Sequence, residues 1–403
     1  MRQFKPLTSL RLFLALWVLC LHWFHGYGAS GSYFDIGFTS TFFDHGYLGV
    51  DGFFILSGFI LAHNYDPAPG NRLDWKTFLV ARIARIYPAY VACLLVFVAA
   101  VIVRDLILHR NMVGTTNYSA PDFLLELSML SAWRYAGPTG WNDVGWSVSA
   151  EWFAYVWFPL FLFAAPRLNR IRIMLAAILA LVALGMVEAT SPTHLSLSGG
   201  VARLIPEFML GVLLCRLREA IPHYDGFAGG ALLSLVICGV GVELGVDTLF
   251  VAGAAGLVFS LSYEKDALTR LLSMSALVFL GEISYCIYIV QRIPQYLFTF
   301  ARSRLPDLAA MPGATQAFFL FAFTVGASIL LHYVVEKPMR SWINRQLGSR
   351  RRLRESLTAR EKPRLDQQSD HNQSEIRATR KQGRALQPIR AKTPQNKPAG
   401  RGR

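Results

Sequence analysis

The sequence is short of charge. Only 16% of its 403 residues are Asp, Glu, Lys or Arg, against 53% hydrophobic, whereas an ordinary soluble domain carries about one quarter charged. A soluble enzyme is disfavoured on that ground alone. Cysteine is sparse as well. Cys20, Cys93, Cys215, Cys238 and Cys286 stand singly in apolar runs, without a CxxC pair or a regular spacing, so neither a disulfide framework nor a zinc site is suggested. They read as small buried hydrophobes, and no metal is expected. The signatures of several soluble chemistries are missing too: there is no G-x-S-x-G elbow, no Walker loop and no H-E-x-x-H pair. No repeat recurs at a fixed period.

Positive charge is present but confined. Of 40 Lys and Arg, seventeen lie between Arg345 and Arg403, against five of the 26 acidic residues, which leaves 23 basic and 21 acidic groups in the first 344 positions. The body therefore has no basic face to offer a nucleic acid. The tail 345–403, rich in Arg, Gln, Ser, Pro and Lys, cannot bury enough apolar surface to offset its ordering entropy and is expected to be disordered. Its expected role is anchoring against anionic lipid head groups.

A bilayer crossing needs about 20 mostly apolar residues. Ten stretches qualify: Leu10–Phe24, Leu48–His63, Tyr87–Val103, Trp146–Ala165, Ile173–Val187, Ile205–Leu217, Gly229–Leu244, Leu249–Ser262, Ala276–Val290 and Ala314–Val334. Leu10–Phe24 lacks a small-residue cleavage site after it and reads as a first span rather than a signal peptide. Phe123–Trp133 is too short to cross and carries Glu126; it is expected at the surface or re-entering within a long loop. With the N-terminus cytoplasmic, sixteen basic residues of the body fall inside and seven outside, the bias that sets orientation. The expected architecture is all-α: a polytopic body over 1–344 with about ten transmembrane helices, both termini cytoplasmic in the inner membrane, and the tail 345–403.

Ionisable groups within membrane spans are functional candidates by default. Arg11 and His22 are eleven residues apart, or 1100° at 100° per residue, so they share a helix face about 16 Å apart along the axis. Arg11 taken alone reads as a snorkelling positive-inside anchor, and His25 competes with His22. Asp51, near the start of the second span, is suited to orienting a histidine, hydrogen-bonding a sugar hydroxyl or capping its helix. Arg82 and Arg85 lie at i and i+3, where two guanidiniums can grip phosphate, although positive-inside bias also accounts for them. Ser147 and Glu151 lie at i and i+4 in the fourth span, expected near His22, where a carboxylate can fix an imidazole tautomer. Trp146, Trp152 and Tyr155 fit an interfacial aromatic belt. Glu207, Glu282 and Gln291 are weaker candidates.

Six segments in order carry a resemblance: LTSLRLFLALWVLCLH (Leu7–His22), GVDGFFILSGFIL (Gly49–Leu61), RIARIYPAY (Arg82–Tyr90), GWSVSAEWFAYVWFP (Gly145–Pro159), LGEISYCIYIVQRIP (Leu280–Pro294) and VVEKPMRSW (Val334–Trp342). Together they resemble the membrane-bound acyltransferase family 3 proteins, multi-pass enzymes that O-acylate sugars and related acceptors. The likeness covers about residues 5–342. It implies that His22 is the catalytic histidine with Arg11 its partner, that Arg82 and Arg85 contact an acyl-CoA donor, and that Glu151 fills the family's acidic position. Asp51 joins the expected catalytic set, and Ser147, Trp146 and Tyr288 are expected substrate contacts. Val148 replaces a usual leucine, and Gln291 stands where many members have histidine. The scheme so implied moves an acyl group, expected to be acetyl, from cytoplasmic acyl-CoA to a carbohydrate hydroxyl such as one on exopolysaccharide, lipopolysaccharide or glycolipid. His22 serves as general base or as nucleophile. The rival is a transporter or flippase of a lipid-linked sugar, which also uses buried charge but predicts no acyl-CoA dependence.

Overall fold

The computed structural model describes residues 4–24, 41–66, 73–109, 118–133, 140–191, 200–221, 229–263 and 267–346. His25 and the tail beyond Gln346 lie outside the described residues. Among those described, every regular element is helical. The chain opens with α1 (Lys5–Phe24), a short α2 (Thr41–Asp44), α3 (Leu48–Tyr65) and α4 (Trp75–Leu108). Asp74 starts α4 by accepting the Thr77 backbone N–H at 3.2 Å, which satisfies one of the amides a helix start leaves unpaired. At 34 residues α4 is about 51 Å long, and Pro88 within it removes one backbone donor. The loop that follows holds α5 (Ala120–Leu127), capped by Ser119, and a 3-10 turn at Ser131–Trp133. That is the segment expected to be too short to cross, and it is helical.

The fourth expected span is two helices, α6 (Gly145–Val156) and α7 (Phe158–Ala164), bent by 62°. Pro159 sits in the first turn of α7, a place that tolerates its missing N–H. Next come α8 (Arg170–Thr190), capped by Asn169, and α9 (Gly200–Ala220). Two 15-residue apolar helices, α10 (Gly230–Leu244) and α11 (Asp247–Leu261), are joined by a two-residue turn. Gly245 takes φ +64° there, a conformation glycine adopts without Cβ strain. A short α12 (Ala267–Leu272) precedes α13 (Ser275–Glu282), α14 (Ser284–Val290) and α15 (Arg292–Arg302). Pro294 cannot donate to the Val290 carbonyl, which fits the break between α14 and α15 at Gln291. After α16 (Pro306–Ala310), α17 (Gly313–Leu331) runs into a π-helical turn at His332–Glu336 and on to Gln346.

Each of the ten expected stretches falls on a helix or a bent run of helices. Among the described residues, four helices are long and apolar enough to cross a bilayer, or five if the bent α6–α7 pair is one span. The main core gathers α1, α3, α4, α6, α8, α9 and α11. At the α3–α9 crossing a Cβ on Gly58 would overlap the Phe208 carbonyl oxygen, and one on Gly211 the Ile55 carbonyl oxygen. Small residues are what let two helix backbones approach so closely.

Candidate active site

Two polar stations lie along the bundle. The first is a cavity of about 580 Å³ walled by α1, α3, α4, α6, α13, α14 and the extension of α17. Five cations line it: Arg11 from α1, Arg82 and Arg85 from α4, and Lys337 and Arg340 beyond the π turn. Lys337 and Arg340 are exposed and mark its open end. Arg82 donates to the Tyr65 hydroxyl at 2.7 Å and lies over that ring, 4.9 Å from its centroid. Arg85 pairs with Glu336 at 3.5 Å. The i, i+3 spacing read from the sequence thus does bring both guanidiniums onto one wall.

Glu151 and Glu282 line the same cavity. The Ser57 hydroxyl donates to Glu151 Oε1 at 2.5 Å, Tyr155 hydrogen-bonds the same carboxylate, and Arg11 feels the charges of Arg85, Glu151 and Arg82. The expectation that Glu151 stands beside His22 is therefore not what the structure has: this carboxylate belongs to the cationic cavity, two turns along α6 from Gly145. Tyr155 is likewise a buried member of this network rather than part of an aromatic belt, at 4% exposure. At the closed end, the hydroxyls of Ser147 and Tyr288 are 2.7 Å apart, and both reach the Val144 carbonyl oxygen. These two line the cavity as well.

The second station holds His22, which is buried and absent from the cavity lining. The Gln291 side chain makes a hydrogen-bonding contact with the imidazole, which also feels the charges of Arg292 and Asp143. Arg292 grips Asp143 with two bonds of 2.6 Å and donates a third to Gln295 Oε1. Gln295 in turn donates to the His22 carbonyl oxygen at 2.8 Å. Arg292 and Asp143 are about one fifth to one quarter exposed, so this station reaches the surface opposite the cationic mouth. One turn of α14 connects the stations, because Gln291 Nε2 donates to the Tyr288 carbonyl oxygen at 3.0 Å.

Asp51 and Trp146 lie elsewhere. Asp51 is fully buried and pairs with Arg203 of α9 at 2.6 Å, while Trp146 packs under the same guanidinium, 5.2 Å from ring centroid to Arg203 Cζ. Neither is on the cavity lining. Glu207 lies in the same buried group, close enough to Asp51 and Arg203 to feel both charges. Arg203 and Glu207 stand at i and i+4 in α9, which puts both on the helix face that meets Asp51. Ser57, His332, Lys337 and Arg340 also line the cavity and Glu336 pairs with Arg85, and none of these five is a candidate on sequence grounds. Cys286, His332 and Glu336 bring ligand-type atoms within 4.8 Å of one another. Glu336 is already shared among Arg85, His332 and Cys286, and the nearby guanidinium opposes a second cation there.

The described cysteines are all free. No solved structure matches the chain. It is 27% identical over 385 residues to "Acyltransferase MdmB" of Streptomyces mycarofaciens, covering 87% of this chain and 94% of that protein. It is 27% identical over 330 residues to "Exopolysaccharide production protein ExoZ" of Rhizobium meliloti, covering 78% and 93%. A 152-residue stretch is 30% identical to "Putative peptidoglycan O-acetyltransferase YrhL" of Bacillus subtilis, covering 34% of this chain and 23% of that protein. Residues 6–333 match the acyltransferase domain that defines the acyltransferase 3 family. A helical chain with these apolar helices, matched over nearly its whole length, belongs to the acyltransferase 3 family and is a membrane acyltransferase.

Proposed function

We propose that the protein moves an acyl group, acetyl in the first instance, from acyl-CoA on the cytoplasmic side to a carbohydrate hydroxyl presented on the other side of the inner membrane. The observation that carries this reading is the convergence of Arg11, Arg82, Arg85, Lys337 and Arg340 on one cavity. Coenzyme A is a polyanion with a diphosphate and a further phosphate, and guanidiniums on a partly desolvated wall suit phosphate oxygens. The cavity's closed end is apolar enough, through Val50, Phe53, Phe54 and Val148, to take the pantetheine arm and the thioester. The names of the exopolysaccharide and peptidoglycan relatives support a polysaccharide acceptor.

In this scheme the chain crosses the membrane ten times with both termini cytoplasmic, and 345–403 is a basic tail against anionic lipid. His22 takes the proton of the acceptor hydroxyl, or attacks the thioester itself. The Arg292–Asp143 pair and Gln291 hold it from the far side. Glu151 balances Arg11 and steadies Ser57 and Tyr155 at the donor end. Asp51 supports the helix packing through Arg203. Replacing Arg82 and Arg85 together by Gln tests the donor assignment. Charge-assisted hydrogen bonds are worth about 1.5–3 kcal/mol each, so KM for acetyl-CoA should rise by about 100-fold or more. An unchanged KM would remove the cavity from donor binding.

A further inference from the structure

The cavity ends at Tyr288, one helical turn short of the Gln291 that contacts His22, and what closes it is a pair of hydroxyls. Ser147 comes from α6 and Tyr288 from α14; each is 6% exposed and each lines the cavity. Their oxygens are 2.7 Å apart. The protein acceptor within reach of both is the Val144 carbonyl oxygen, at 3.2 Å from Ser147 and 3.1 Å from Tyr288. One proton bridges the two hydroxyls and the other goes to Val144, and both can turn onto a carbonyl-type oxygen that enters this end of the cavity. Glu151 lies one turn of α6 nearer the cationic mouth, and Gln291, which contacts His22, lies one turn of α14 further on. If phosphates occupy the mouth, the thioester carbonyl arrives at this height.

We propose that Ser147 and Tyr288 are catalytic residues that bind the thioester carbonyl oxygen and stabilise the oxyanion of the tetrahedral intermediate. The inference rests on the acyl-CoA reading above. On attack, the acceptor oxygen forms a bond to the carbonyl carbon and its proton passes to His22. The carbonyl π pair moves onto oxygen, where the two hydroxyls donate to it in place of Val144. The pair then returns, the C–S bond breaks, and the CoA thiolate leaves and recovers the proton from His22. Acyl ester and CoA thiol are the products. Donors held ready in a water-poor site need no reorganisation as charge develops, and removing one such donor lowers kcat by about 10²–10³-fold.

The test uses the full-length protein in lipid nanodiscs, with acetyl-CoA as donor and free CoA as a binding probe that lacks the carbonyl. Tyr288→Phe and Ser147→Ala should each lower kcat by about 10²-fold or more while the affinity for free CoA stays within about twofold. Ser147→Thr, which keeps a hydroxyl, should recover most of the rate lost in Ser147→Ala. A kcat within about threefold of wild type in Tyr288→Phe overturns the proposal, and so does loss of CoA binding in parallel with kcat, which would mark the pair as a helix–helix staple. Failure of the wild-type protein to bind CoA at all would instead sink the acyl-CoA reading, and this inference with it.

Discussion

Glu126 is a carboxyl group packed out of reach of water, in the loop helix α5 rather than in a membrane span. It is fully buried and accepts the Asn142 backbone N–H at 2.9 Å. Burial, the largest influence, pushes it up to about 8, against which the Asn142 amide pulls down. In the unfolded chain the group titrates near its ordinary value, so between the two the folded state holds a proton the unfolded state has lost. Stability must therefore fall as pH rises from about 5 to 8. Glu126→Gln should flatten that slope, as read from melting temperatures of the protein in lipid across this range; an undiminished slope would assign it to another group. At this scale the sequence was readable where a residue carried its own signal. Arg11, Arg82, Arg85, Ser147, Glu151 and Tyr288 were singled out from spacing or motif, and all six line one cavity. Asp51 was not readable, because its partner Arg203 stands 152 positions away and nothing local announces the pairing. Glu151 and His22 share a station only if both sit near the same membrane surface; the offset of Glu151 along α6 puts it in the cationic cavity instead.

Helices in this molecule are positioned by what they lack. Glycines at the α3–α9 crossing remove the Cβ atoms that would hold the backbones apart, and the breaks at Trp157, Ile283 and Gln291 let short helical segments turn side chains inward. Such breaks are tolerated at membrane depth only where the backbone is buried in protein or faces a cavity, which is where α13 and α14 lie. Gly211→Leu should lower stability by about 3 kcal/mol or more, beyond ordinary overpacking of side chains, because backbone rather than side chain must move. Gly326→Ala in α17 is the control: apart from the adjoining backbone of its own helix, nothing lies within 4 Å of the added methyl among the described residues, and alanine gains about 0.5–1 kcal/mol in a helix interior. Thermal unfolding of the two variants in one lipid system gives the comparison, and equal behaviour would contradict the close crossing. Hydropathy located these elements because burial in lipid imposes long apolar runs. It could not register the bends, which arise from single residues such as Pro159 and Pro294, nor the π turn at His332–Glu336, which carries Glu336 to Arg85.

The whole molecule sets a cationic cavity and an imidazole at different heights, joined by Tyr288, Ser147 and Gln291. That separation is the arrangement required if donor and acceptor approach from opposite faces. The measurement that tests it most directly follows labelled acetyl-CoA supplied on the cytoplasmic face of sealed membrane vesicles containing wild-type protein or His22→Ala. The account predicts that the wild type carries label to glycan on the opposite face. It also predicts that His22→Ala inserts normally and binds CoA with unchanged affinity, yet transfers at least about 10²-fold more slowly, the lower end of what a general base contributes. Undiminished transfer by His22→Ala, or label remaining on the donor side in the wild type, would contradict it.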